Sequence, residues 1–155
     1  MTILVLGIGS PFADDQAGWL VADQLSHIEG LQDKIQAGEL IIDADDRPGL
    51  NLLDWLGRDY EHIHLVDMVK TNLAETGNTY ILQAKEIIGF SGMLSSHNLG
   101  VSPSLALAEV LGIKISHVTF WGIEGERYKP HEEISSEMLL AVTKVTEQIH
   151  AHLLK

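Results

Sequence analysis

The sequence predicts an α/β fold: a three-layer sandwich with a mostly parallel, doubly wound central sheet flanked by helices. Two observations carry this. Short apolar runs alternate along the chain with longer stretches of helical periodicity, the pattern of a parallel sheet covered on both faces. The 155 residues contain no internal repeat, low-complexity tract or linker, so they read as one domain spanning 1–155, with room for one buried core.

The elements follow in order. Ile3 to Leu6 reads as a buried first strand ended by Gly7 and Gly9. Asp14 or Asp15 starts a helix to about His27, with Trp19, Leu20, Ala22 and Leu25 at helical spacing. Leu40 to Ile42 is the second strand, with Asp43 to Asp46 at its carboxyl end. Pro48 to Leu56 reads as a short helix, and His62 to Val66 as a third strand ending at Asp67. Thr79 to Leu82 is a weaker, edge-like strand, and Gly89 to Ser96 a loop leading to His97. Pro103 to Leu111 is a helix and His117 to Trp121 a strand. Ser135 or Ser136 caps a last helix through Met138, Leu139, Val142, Val145 and Ile149.

Composition narrows the function. The chain carries 22 Asp+Glu against 10 Lys+Arg, a formal charge of −12. This argues against a general nucleic-acid binder and against docking on an anionic membrane. The absence of cysteine excludes disulfides, thiolate metal sites and cysteine nucleophiles, and suits a reducing compartment. Met1 to Ser10 lacks the basic start of a signal peptide, and the apolar runs fall short of the ~20 residues of a membrane helix. A cytoplasmic location is expected.

Open α/β sheets bind ligands beyond the carboxyl ends of their strands. Three residues stand out there. Gly7-Ile8-Gly9 invites a dinucleotide reading, but Phe12 stands where the third glycine belongs, and Asp14 and Asp15 would repel a phosphate at the helix start. One of those two carboxylates is expected to cap the helix; the other is left for a site. Asp67 ends a buried strand at the mouth of the sheet, as a ligand or as a turn residue. His97 lies in a small polar loop, whereas His62 and His64 alternate on one strand face and read as satisfied structural histidines. His150 and His152 read as surface residues. Asp15, Asp67 and His97 together offer two oxygens and a nitrogen, a donor set suited to zinc, nickel or manganese, although no local metal-binding spacing is present. Asp43, Asp45 and Asp46 add charge at the same rim or are simply solvated.

Four segments carry a family resemblance: Gly7-Ile8-Gly9-Ser10-Pro11-Phe12-Ala13-Asp14-Asp15-Gln16-Ala17-Gly18, Leu65-Val66-Asp67-Met68, Ser96-His97-Asn98-Leu99-Gly100 and Phe120-Trp121-Gly122-Ile123-Glu124-Gly125. In order and separation they resemble the motifs of the nickel-iron hydrogenase maturation proteases, over nearly the whole chain. These are small α/β endopeptidases that trim the C-terminal extension of the hydrogenase large subunit. The resemblance implies that Asp15, Asp67 and His97 are the metal-recognising and catalytic residues, and that Asp43 and Asn98 contact substrate. It implies that the nickel is presented by the substrate, with zinc or cadmium able to take the same site in vitro. It also implies the large-subunit precursor as partner of a monomeric enzyme, with cleavage after a His or Arg that follows the last cysteine motif.

Three departures bear on detail. Ser10 stands where the family has Asn, Ala44 where an Asp-Gly pair is usual, and Gly125 where Pro is common. Ala44 takes positive φ less cheaply than Gly, so a different loop is expected there.

With no G-x-S-x-G elbow and no cysteine, peptide hydrolysis calls for an activated water: an aspartic-type reaction with a carboxylate as general base and a metal polarising the carbonyl. Two other readings compete. A non-enzymatic checkpoint module would use the same ligands without cutting. A nucleotide-dependent oxidoreductase would need the glycine pattern that is broken here.

Overall fold

Three parallel ladders build the sheet. In this computed structural model, which describes residues 1–46, 51–89, 101–126 and 133–154, β1 (Ile3–Gly9) pairs with both β2 (Leu40–Asp46) and β3 (His62–Val69). Strand β3 pairs in parallel with β5 (Val118–Glu124), and β4 (Thr79–Gln83) closes the far edge antiparallel to β5. The order is β2-β1-β3-β5-β4. The chain leaves β1 for β2 on one side and returns to β3 on the other. The crevice between the carboxyl ends of β1 and β3 is therefore the topological switch point, where such folds place ligands.

Each sheet face has its own core. On one face Leu4, Leu6, Ile8, Ile63, Leu65 and Phe120 pack under α3 (Leu52–Leu56), α4 (Ala84–Gly89) and α5 (Val101–Val110). On the other, Val5, Val66, Trp121 and Ile123 pack under α1 (Ala17–Ser26), α2 (Gln32–Gln36) and α6 (Ser136–Leu153). Helix α6 buries Met138, Ala141, Val142, Val145, Ile149 and Leu153, one stripe at spacings of three and four. Each of the larger side chains contributes about 1.5–3 kcal/mol by leaving water. The Ser135 hydroxyl accepts from Met138 N at 3.2 Å and caps the helix, as the sequence predicts.

Several boundaries differ from the sequence reading. The first helix does not begin at an aspartate: Ala13–Gln16 forms a 3-10 turn, and α1 starts at Ala17. Strands β2, β3 and β5 continue to Asp46, Val69 and Glu124, because the ladders Gly9↔Asp46 and Val69↔Glu124 still have partners there. Asp67 thus lies inside β3, opposite Gly122. The short helices α2 and α4 were not read from the sequence. Helix α3 begins after Asn51; residues 47–50, including Pro48, lie outside the described residues.

The strand histidines behave as structural residues. Trp121 Nε1 donates to His64 Nδ1 at 3.0 Å, and His62 Nε2 lies 2.8 Å from Thr119 Oγ1. His152, exposed near the end of α6, stands edge-on to Trp121 with ring centroids 5.4 Å apart. Burial first, and then the neighbouring His62 and His152, lower the His64 pKa to about 3. An unfolded histidine titrates near 6.5, so the unfolded chain takes up this proton first. Stability is fully present above about pH 6.5 and is lost as pH falls toward 3, by about 2 kcal/mol at pH 5 from this group. Urea midpoints at pH 7 and pH 5 check this: His64→Asn, which keeps an acceptor for Trp121, should lose that part of the acid sensitivity.

Candidate active site

The site begins with the glycines of β1 and α1. A Cβ on Gly7 would lie 2.1 Å from Gly18 O, and one on Gly18 would lie 2.2 Å from Ile8 O and 2.5 Å from Val66 O. The pattern serves helix–strand contact, with no phosphate loop required. That contact brings the Ala13–Gln16 turn onto the end of β3. Ala13, buried with φ 44, directs the chain into the turn. A left-handed alanine costs about 1–2 kcal/mol, a local strain of the kind found where geometry is constrained by function.

The two carboxylates that follow have different tasks. Asp14 accepts from Ser135 N and Ser135 Oγ, both at 2.9 Å, and from Glu126 N at 3.1 Å. It ties the β1–α1 turn to both described ends of the β5–α6 connection. Neither the turn nor α1 has a side-chain cap bond, so the expected capping role is corrected: Asp14 works at long range. Asp15, 1% exposed, accepts from Ser10 Oγ at 2.5 Å. Ser10 N donates to Asp15 O at 3.1 Å, so Ser10 holds both the backbone and the carboxylate. This is what the serine does in place of the family's asparagine.

Asp67 is fully buried on β3. Strand alternation puts it on the side of Leu65 and Val69. Gly122 stands opposite and presents no side chain. Asp15 stands on the turn after β1, which packs against β3, the strand that carries Asp67. Helix α5 begins at Val101, four residues after His97 in sequence. His97 and Asn98 themselves lie outside the described residues. Among the described residues no group of three or more His, Asp or Glu side chains is placed to hold a metal ion. The two carboxylates supply hard oxygen donors, and the third ligand of the expected set is His97.

Asp43 is exposed on β2, with Oδ1 accepting from Ala44 N at 2.8 Å. Ala44 continues the strand, so no positive φ is needed there, and the expected loop is corrected. Asp45 is held from both sheet faces: Trp19 Nε1 donates to its carbonyl at 2.8 Å and Trp55 Nε1 to Oδ2 at 3.1 Å.

The fourth motif also carries a buried carboxylate. Glu124, 3% exposed at the end of β5, accepts from Thr71 N at 2.9 Å, Tyr80 OH at 2.9 Å and Thr71 Oγ1. Burial, together with the hydrogen bond and charge of Glu124, keeps the Tyr80 phenol above its ordinary pKa, against the opposing hydrogen bond from Thr71. Lys70, the first cation after Asp67, pairs with Glu126 at 3.1 Å. The start of the β3–β4 connection is thereby fastened to the end of β5. A buried glutamate ending an apolar strand was the available signal.

Residues 27–152 match the family described as HycI, hydrogenase maturation protease. The chain belongs to the hydrogenase maturation protease family. It is a peptidase, a hydrolase in reaction class. Against the Hydrogenase 2 maturation protease of Escherichia coli K12 it is 28% identical over 156 residues, covering 99% of this chain and 91% of that one. The hydrogenase maturating endopeptidase HybD of E. coli superposes with a TM-score of 0.80 at 23% identity, over 99% of this chain and 92% of that one. HybD of Thermococcus kodakarensis gives 0.73 at 22% identity, with all of both chains covered. These structural likenesses confirm the doubly wound, mostly parallel fold. No helix among the described residues is long and apolar enough to cross a membrane.

Proposed function

We propose that this maturation protease removes the C-terminal extension of a nickel-iron hydrogenase large-subunit precursor once nickel is in place. What supports the proposal is the burial of two carboxylates, Asp15 on the turn after β1 and Asp67 in β3, the strand that turn packs against. A folded domain buries a carboxylate only with specific hydrogen-bonded support, which Ser10 gives to Asp15.

In this reading Asp15, Asp67 and His97 recognise the nickel carried by the substrate. The metal, as substrate, would polarise the scissile carbonyl. One of the two carboxylates takes a proton from a water that attacks that carbonyl, and the proton then passes to the leaving amine. Asp43 and Asn98 bind the peptide beside the crevice, and zinc or cadmium occupies the same ligands in vitro. The protein acts as a monomer in the cytoplasm.

The test is a cleavage assay on large-subunit precursor from the same organism, with and without nickel, read by intact mass. Loss of the C-terminal extension from the nickel-loaded form alone is the expected result. Equal cleavage of both forms would remove the nickel check. Binding of a competent precursor without product would support a non-catalytic checkpoint instead.

A further inference from the structure

Beside the crevice, α1 and the edge strand β2 leave a cavity of about 410 Å³. Its described apolar wall is formed by Trp19, Leu20, Ile42 and Ala44, Asp23 adds a carboxylate, and Asp43 borders it on the edge strand. It reaches up to Gln16, the residue after Asp15, and runs down the helix to Ser26. We propose that this seam binds an extended, basic stretch of the substrate polypeptide, flanking the bond to be cut. The inference rests on the endopeptidase reading and adds a specificity surface to it.

Three features support a peptide with this chemistry. The seam ends at Gln16, the neighbour of Asp15 in the turn, so a chain lying in it is directed toward that turn. The charge is complementary: the seam has acidic residues and no described cation, in a protein of net charge −12. The third feature concerns how the peptide lies. Ala44 N and Asp46 N are covered by the carboxylates of Asp43 and Asp45, at 2.8 and 2.9 Å. That end of β2 is thereby closed to a sixth strand. An occupant is read by its side chains in the seam rather than by strand addition.

The length follows from helix geometry. From Gln16 to Ser26 is ten residues at about 1.5 Å, or roughly 15 Å. An extended chain at about 3.3 Å per residue fits four to five residues in that span. Alternate residues would face the apolar wall, and a basic residue between them would reach the exposed Asp23 at the rim.

The experiment uses the full chain and a capped octapeptide of alternating Lys and Val, with a Glu/Val octapeptide as control. Binding is followed through the tryptophan indole N–H resonances. The Lys/Val peptide should shift the Trp19 signal and leave buried Trp121 unmoved, and the Glu/Val peptide should bind at least tenfold more weakly. Asp23→Lys, on an exposed side chain, should weaken binding roughly fivefold, and Leu20→Arg at least about tenfold. With precursor, both variants should raise KM and leave kcat near wild type. Shifts centred away from Trp19, equal binding of the two peptides, or wild-type affinity and KM in Asp23→Lys would overturn the proposal. Failure of the wild type to cleave any precursor would instead overturn the endopeptidase reading, and the peptide arm would still decide the seam.

Discussion

Asp15→Asn is expected to reduce precursor processing by more than about a hundredfold without lowering the unfolding midpoint. Asparagine keeps the shape of the side chain and an oxygen for the Ser10 hydroxyl, so the bond that orients position 15 can survive. It removes the negative charge, and with it the metal-ligating and proton-accepting capacity of that group. Loss of a partner one shell out from a metal typically costs 10- to 100-fold, so under the proposed function, in which Asp15 meets the substrate's metal directly, the loss should be larger. Its neighbour should behave in the opposite way. Asp14 accepts from three donors contributed by Ser135 and Glu126. Asp14→Ala leaves those donors unpaired at a site 3% exposed, costing about 2–4 kcal/mol of stability. Paired urea titrations and cleavage assays on the two variants separate the roles. Full processing by Asp15→Asn would remove Asp15 from the chemistry.

The contrast between these adjacent aspartates also marks what a sequence can and cannot reveal. Both are visible as a pair that one helix cap does not need. Which of them is taken up in tying the turn to α6 depends on Ser135, 121 positions from Asp14, and no local pattern encodes that contact. Asp67 was legible because a carboxylate interrupts an apolar run. Its position within β3 was not, because strand continuation depends on the ladder with β5 through Val69↔Glu124. The acidic run Asp43 to Asp46 reads as loop by composition, yet pairing with β1 keeps it extended, and the indoles of Trp19 and Trp55 hold Asp45. The parallel core strands were legible because they are buried on both faces and hence continuously apolar. Helices α2 and α4, of five and six residues, are too short to show a period and exist by packing.

The largest stability effect is expected at Gly18. In a solvent-facing helix position, Gly→Ala stabilises by up to about 1 kcal/mol through helix propensity. Here the added Cβ would stand 2.2 Å from Ile8 O, 2.5 Å from Val66 O and 2.8 Å from Ile8 N. All three atoms are backbone of the two central strands, so no side chain can rotate to make room. Helix α1 must instead move off the sheet, loosening the packing of Val21 and Leu25 beneath it. Overpacking of this kind costs 1–3 kcal/mol where side chains can adjust; against fixed backbone, Gly18→Ala should lose more than about 3 kcal/mol. Gly30→Ala provides the control, since the nearest atom to a Cβ there is the His150 ring at 4.0 Å, and its unfolding midpoint should stay near wild type. Activity should fall with stability at Gly18. The displaced helix begins two residues after Asp15, so an outward shift of α1 disturbs the turn that carries Asp15 against β3. If Gly18→Ala unfolds at the wild-type urea concentration, close contact between α1 and the β1–β3 crevice is not what positions the site.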